Sequence, residues 1–361
     1  MKRFAVIMAG GGGTRLWPLS TREHPKHLLK LHGDETMYAM SVRRLYPAFP
    51  LDQIYVVTVK EQVDKLRLLT PELPAENFII EPEPKGTASV VGLAAITLQK
   101  RDPDSVMIVL TSDHLIGNNP EFLHVLDTGC AAADQGGLYT IGITPTYAAI
   151  GYGYIEIGKQ VTGGMNMPIH HVVKFKEKPA QKQAEEFLRS GTHLWNSGIF
   201  IWKTRQILDE FRHHMPDFYT QLEKIKQSWQ TKIGGNLLPQ IWATIQPETI
   251  DYGIMEKARD IYVIPAKNLE WNDVGSWLSL FEFLDADEHG NIRLGTEVIW
   301  HGTDQSLVVE DNDEKLVATI GLKDIIIIDT AKALLVCRKE DVQKVREVVA
   351  RLKATDRTKF L

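Results

Sequence analysis

The chemistry in this chain begins where charge meets bare backbone. The stretch Met8-Ala9-Gly10-Gly11-Gly12-Gly13-Thr14-Arg15 follows the apolar run Phe4-Ala5-Val6-Ile7. That run reads as a buried first strand. Successive glycines let backbone N–H groups approach a ligand with no Cβ in the way, and such N–H groups together form an anion-binding concavity. Arg15 follows at once and Lys26 soon after, in Pro25-Lys26. The spacing predicts a phosphate cradle with two cations at its rim; the competing reading is a flexible glycine turn. A dinucleotide fingerprint is excluded because its third glycine falls on Arg15 or Leu16, and a Walker loop because Lys26 is too distant.

Carboxylates follow at strand ends. Asp113 closes Val109-Leu110-Thr111-Ser112-Asp113 and is placed either to hold Mg²⁺ or to make an Asx turn or helix cap. Asp273, between Trp271 and Trp277, carries the same pair of readings, metal ligand or turn residue. Glu81 ends another short strand. A carboxylate accepts two parallel hydrogen bonds from N1–H and the amino group of guanine, a pair that thymine and adenine do not offer; the alternative for Glu81 is a cap for the next helix. In Lys176-Glu177-Lys178-Pro179 the charges are either a solvated strand edge or a lysine for phosphate beside a glutamate for sugar hydroxyls. Asn196, beside Trp195, suits hydroxyls or an ordinary turn. The 12 histidines show no metal-binding spacing. No G-x-S-x-G elbow and no supported Ser–His–Asp set is present, so a protein nucleophile is disfavoured. Positioning and charge neutralisation remain.

The elements that must hold these groups alternate in the first half. Strands are expected at Gln53–Val59, Asn77–Ile80, Ser105–Thr111 and Leu138–Thr144. Helices are expected at Glu61–Leu69, Thr87–Lys100 (with Thr87 as cap) and Pro120–Ala133. This order predicts an α/β fold: a doubly wound, mixed but mostly parallel sheet with ligands outside the carboxyl ends of its strands. From about residue 150 the pattern mixes: strands at Val172–Lys178, Ile199–Trp202 and Ile261–Pro265, a helix at Gln181–Ser190 and two helices broken near Pro216. After Asp285-Ala286-Asp287 short strand-like runs recur before a helix over Glu340–Leu352, which predicts a small β-rich, solenoid-like part. The expected division is a catalytic domain over 1–285 and a C-terminal domain over 286–361, with a loose tail from Lys353. The chain has 361 residues, 43% of them hydrophobic, and a net charge of −5, which disfavours general nucleic-acid binding. No apolar run approaches the roughly 20 residues that span a bilayer. No signal peptide is apparent, and Cys130 and Cys337 read as reduced thiols of a cytoplasmic protein.

Taken together the motifs resemble the bacterial mannose-1-phosphate guanylyltransferases, also called GDP-mannose pyrophosphorylases, within the sugar-nucleotidylyltransferases. The resemblance rests on Ala9 to Ser20 with Pro25-Lys26, Glu81-Pro82, Ser112-Asp113-His114, Gly151-Tyr152-Gly153-Tyr154-Ile155, Glu177-Lys178-Pro179, Trp195-Asn196-Ser197-Gly198, Ile250 to Glu256, and Trp271 to Trp277. It implies a Rossmann-like, GT-A-like nucleotidyltransferase fold. It also implies that mannose 1-phosphate attacks the α-phosphorus of GTP with Mg²⁺ required, in a cytoplasmic homodimer in which the β-rich part takes part. By motif position, Ala9, Gly10, Gly11, Gly12, Gly13, Thr14, Arg15, Lys26, Glu81, Gly86, Thr87, Ser112 and Asp113 would meet the nucleotide. Gly153, Glu177, Lys178, Asn196, Asp251 and Glu256 would meet the sugar phosphate. Asp113 and Asp273 would share the metal, and Arg15, Lys26 and Lys178 with these two aspartates would carry catalysis. Many relatives have N-T-A-P where this chain has Gly86-Thr87-Ala88-Ser89, so base recognition there would use backbone groups. Some relatives carry a fused cupin-type isomerase, for which this chain ends too early. Two other readings stand beside this one: a sister enzyme with another sugar or nucleotide, and a non-catalytic GDP-mannose-binding regulatory subunit. The second of these predicts loss of charged site residues, which are all present.

Overall fold

A computed structural model describes residues 2–10, 14–161, 167–229, 237–311 and 315–361. It separates into two compact units. One comprises Met1–Gly10, Ser41–Ser112 and Ile116–Trp271; the other comprises Gly11–Met40, Asp113–Leu115 and Asn272–Leu361.

The first unit is built on a nine-stranded sheet. Its strands are β1 (Arg3–Ala9), β2 (Ile54–Val59), β3 (Phe78–Glu81), β4 (Val106–Thr111), β5 (Leu138–Ile143), β6 (Tyr154–Val161), β7 (Ile169–Lys176), β8 (His193–Lys203) and β9 (Ile261–Ala266). The spatial order is β3-β2-β1-β4-β8-β5-β9-β7-β6, with β8 also pairing β6. Strands β3, β2, β1 and β4 run parallel, as continuous apolar runs buried on both faces do. Strand β8 enters antiparallel between β4 and β5, and β6 and β7 form an antiparallel edge, so the sheet is mixed. Strand β8 begins at His193, ahead of the expected Ile199, so Trp195 to Gly198 lie inside it.

Helices α1 (Lys60–Leu69), α2 (Thr87–Gln99), α3 (Asn119–Ala133), α4 (Gln181–Ser190), α5 (Thr204–His214) and α6 (Pro216–Ser228) belong to the same unit. Helix α2 is apolar all round because it is buried on nearly every side, with α5 and α6 packed against it. Its N-cap is Gly86, not Thr87, and no side chain caps it. The Thr87 hydroxyl instead accepts the Ile250 N–H at 2.9 Å. Helix α3 does have a side-chain cap, since Asn118 accepts the Glu121 N–H.

The second unit holds the β-rich part. Strands β10 (Ile292–Leu294), β12 (Leu307–Glu310) and β14 (Ile325–Asp329) pair in parallel, with β15 (Leu334–Arg338) antiparallel at the edge; β11 (Val298–His301) pairs β13 (Val317–Ile320). Val298 pairs with Val317, Leu307 with Ile326 and Asp304 with Lys323, each pair 19 positions apart. Gly302 and Gly321 repeat a positive φ at the same interval (59° and 64°), as do Gln305 and Asp324 (52° and 54°). A constant interval on two faces is the mark of a solenoid coil. The tail is docked within this unit: helix α7 (Val345–Ala354) buries Val345 and Val349, Leu361 packs on the same core, and Trp17 Nε1 donates to the Phe360 carbonyl at 2.6 Å. Among the described residues no helix is long and apolar enough to cross a membrane.

Candidate active site

The register of three strands gathers the sugar-side residues. Tyr154 pairs with Lys176 on one side and Trp195 on the other. One position away from this rung stand Gly153, Glu177 and Asn196. The Asn196 N–H donates to the Gly153 carbonyl at 2.8 Å. A Cβ at Gly153 would lie 2.4 Å from Glu177 Oε2, so any larger residue there would displace the Glu177 carboxylate. Lys178 Nζ donates to Glu177 Oε1 at 2.6 Å. Its backbone φ of 44° is unusual for a non-glycine residue and marks a strained bend after the strand.

Asp251 and Glu256 reach the same cluster from a wide helical turn. The Glu256 N–H donates to the Asp251 carbonyl, a five-residue step of the kind found at functional sites. Glu256 Oε1 accepts the Glu177 N–H at 3.0 Å and faces Lys176 at 3.9 Å. Asp251 Oδ1 accepts Asn196 Nδ2 at 3.1 Å. Burial first, then the Glu177 charge, push the Asp251 carboxyl up to about 7 against Lys178 and the Asn196 hydrogen bond. Thr140, absent from the expected set, fixes the Asn196 amide by donating to Oδ1 at 3.0 Å. It stands on the neighbouring strand β5, 56 positions earlier in the chain, and left no spacing signal in the sequence. All six expected sugar-side residues are thus brought together.

The expected base-side residues sit at the carboxyl ends of parallel strands in the same unit. Ala9 pairs with Thr58, Val59 with Glu81, and Ser112 N–H donates to the Met8 carbonyl at 3.2 Å. Glu81 is 2% exposed, and its Oε2 has no hydrogen-bond partner among the described residues. Burial pushes its carboxyl up to about 7. Since Gly86 caps helix α2, Glu81 is not the cap. A Cβ on Gly10 would lie 3.2 Å from Glu81 Oε1. A buried acceptor with nothing to accept is the kind of group a ligand donor completes. Gly86 has φ of 88°, and a Cβ there would meet the Glu248 carbonyl oxygen at 2.2 Å, so the backbone approach accounts for glycine at this position.

The remaining charged candidates lie in the second unit. Lys26 is 7% exposed. Its Nζ donates to Asp113 Oδ2 at 2.9 Å and to the Asp273 carbonyl. Burial alone would raise the Asp113 carboxyl; the Lys26 ammonium, with His114 and His27 behind it, overcomes this and holds it well below the usual carboxylate range. Asp273 is shaped by a tight turn. Its Oδ1 accepts the Gly275 N–H at 2.8 Å, and Asn272 Oδ1 accepts the Val274 N–H at 2.7 Å. Val274 is fully buried with φ of 46°, a conformation a β-branched residue holds only when its surroundings impose it. Trp277 anchors the turn, donating from Nε1 to the Trp17 carbonyl at 3.2 Å. Arg15 is exposed in the short turn Thr14–Leu16. Gly11, Gly12, Gly13 and the Thr14 side chain lie outside the described residues.

Comparison with known proteins places the whole chain. A nucleotidyl transferase family model matches residues 4–290, and a mannose-phosphate isomerase/GMP-like β-helix model matches 296–352. The chain is 35% identical over 369 residues to mannose-1-phosphate guanylyltransferase 2 of Escherichia coli O157:H7, covering 99% of this chain and 75% of that one. It is 36% identical to a mannose-1-phosphate guanylyltransferase of Salmonella typhimurium strain LT2, covering 99% and 74%. Among solved structures, a Thermus thermophilus protein described as a mannose-1-phosphate geranyltransferase superposes with a TM-score of 0.87 at 31% identity, over 98% of this chain and all of that one. The chain belongs to the nucleotidyl transferase family, in its mannose-1-phosphate guanylyltransferase branch.

Proposed function

We propose that this protein makes GDP-mannose and pyrophosphate from GTP and mannose 1-phosphate. The observation that carries the reading is the sugar-side network, in which residues from four separated chain segments (Gly153, Glu177-Lys178, Asn196, and Asp251 with Glu256) share hydrogen bonds and close contacts. A phosphate oxygen of mannose 1-phosphate forms the new bond to the α-phosphorus of GTP. The bond from that phosphorus to the bridging oxygen breaks, and its electron pair leaves with pyrophosphate. The nucleophile is already an anion at pH 7, so the barrier lies in alignment and charge repulsion.

The residues divide that work. Glu177, Asn196, Asp251 and Glu256 hold hydroxyls, and Gly153 leaves room for Glu177. Lys178 meets the sugar phosphate. Glu81, when ionised, accepts the guanine N1–H and amino group, with Ala9, Gly10, Gly86, Thr87 and Ser112 around the nucleotide. Arg15, Lys26 and the Gly11–Thr14 backbone meet the triphosphate.

Asp113 and Asp273 suit Mg²⁺. Both offer hard oxygen donors, and one or two carboxylates with phosphate oxygens are a common Mg²⁺ set. When bound there, Mg²⁺ supplies charge neutralisation on the phosphates. A cytoplasmic homodimer, with the β-rich part at its contact, is carried over from the resemblance.

A matrix of four nucleoside triphosphates against several sugar 1-phosphates, with product detection, tests the reading. GTP with mannose 1-phosphate is expected to give GDP-mannose and pyrophosphate at the highest rate. Preference for dTTP or UTP overturns the role of Glu81, and absence of both products from every pair overturns the activity.

A further inference from the structure

We propose that the Lys26 ammonium and the divalent cation are alternative occupants of one oxygen site, so that Lys26 must release Asp113 for Asp113 to ligate metal. The proposal rests on the assignment of Asp113 to the metal made above. Two contacts carry it: Lys26 Nζ donates to Asp113 Oδ2 at 2.9 Å and to the Asp273 carbonyl oxygen. With only 7% of Lys26 exposed, water does little to solvate the ammonium, and these oxygens take its place. A divalent cation that takes Asp113 Oδ2 meets the oxygen that Lys26 already engages. Two cations on adjacent oxygens of one small site repel, and burial of the lysine leaves its charge the less screened of the two.

The Asp273 carbonyl oxygen is poorly placed to move. The Asp273 carbonyl belongs to a turn closed by Asn272 and Asp273 side chains on successive N–H groups, with Val274 buried at φ of 46°. The lysine has a flexible four-carbon stem. The exchange is therefore a swing of the Lys26 side chain. A phosphate supplies the departing ammonium with a new anionic partner, so the buried Lys26 passes from carboxylate to phosphate without being left unpaired. Two consequences follow. The wild-type chain takes up a free divalent cation weakly, and uptake at Asp113 is coupled to phosphate binding.

The test is Mn²⁺ titration of the full chain without nucleotide, read by loss of the free-ion EPR signal. Lys26→Met is expected to bind Mn²⁺ at least about tenfold more tightly than wild type, because it removes the competing charge and leaves the carboxylate. Adding Asp113→Asn to Lys26→Met is expected to erase that gain. Circular-dichroism melts report whether each variant is folded. If Lys26→Met is not, Lys26→Gln, which keeps an uncharged donor, takes its place with the same expected order. Equal Mn²⁺ affinity in wild type and the folded lysine variant overturns the exchange. In that event, Mn²⁺ uptake that depends on Asp113 when GTP is present leaves the metal assignment standing. Uptake insensitive to Asp113→Asn both with and without GTP removes the metal assignment as well.

Discussion

Asp113 in the second unit and Asp251 in the first are both partly exposed aspartates, yet their neighbours drive them in opposite directions. Asp113 faces a buried ammonium with two histidines nearby and is held well below the usual carboxylate range. Asp251 is crowded by the protein and by Glu177, and its carboxyl is pushed up to about 7 although Lys178 and the Asn196 amide pull the other way. The difference teaches what each is fitted to hold. A permanent anion suits a cation. A carboxyl near neutrality can keep a proton on one oxygen while the other accepts the Asn196 amide, so it can both donate to and accept from hydroxyl groups. Pairs of groups with divergent environments are where separate roles are to be sought.

Asp113→Asn breaks the comparison most sharply, because it preserves shape and removes only the charge. Turnover is expected to fall by about a hundredfold or more, and the melting temperature to fall as well, because the buried Lys26 ammonium loses its anionic partner. Steady-state kinetics within about fivefold of wild type would show that the depressed carboxyl serves structure alone. Gly153→Ala acts on the other side. Its new Cβ lies 2.4 Å from Glu177 Oε2, so Glu177 must move. The KM for mannose 1-phosphate is expected to rise about tenfold while the KM for GTP holds, since a displacement near 1 Å degrades alignment substantially. Equal changes in both constants would mean that the sugar-side network is not specific to the sugar.

The parallel strands were legible because burial on both faces makes them continuous apolar runs, and α2 because its stripe fills the whole circumference. The glycine and carboxylate motifs were legible because their chemistry depends on residue type at short spacing. What was not legible came from contacts between distant segments. Thr140 reaches Asn196 only because β8 inserts beside β5, a topology that residue order does not disclose. Thr87 reads as a cap by type, but the backbone of Glu248 and Ile250 runs past the helix end, so Gly86 takes the turn and Thr87 bonds to Ile250. The tail reads as loose by composition, and its anchor is a main-chain acceptor for Trp17, more than 300 positions earlier. The 19-residue coil did leave a trace, in Gly302 and Gly321, but as a repeat of backbone conformation more than of side chains.

The smallest expected effect sharpens the Asp251 half of the contrast. Its carboxyl titrates near 7 in the folded chain, above the ordinary value of 3.8 that applies when unfolded. Below about pH 4 both states are protonated there, and the group leaves stability unchanged. Between about pH 4 and 7 the unfolded chain has released a proton that the folded chain retains, so this group lowers stability progressively as pH rises. Above about pH 7 both states are ionised, and the loss is complete and constant. Asp251→Asn removes the titration while keeping an oxygen that accepts from Asn196. The melting-temperature difference between the variant and wild type should therefore widen from about pH 4 to 7 in the variant's favour and stay level beyond. Glu177 is the second-ranked cause of the raised value, so in a Glu177→Gln background the widening should be smaller and should end at a lower pH. A difference that is flat across the whole range would mean that Asp251 titrates as an ordinary carboxylate. The opposition to Asp113 would then reduce to the Lys26 ion pair alone.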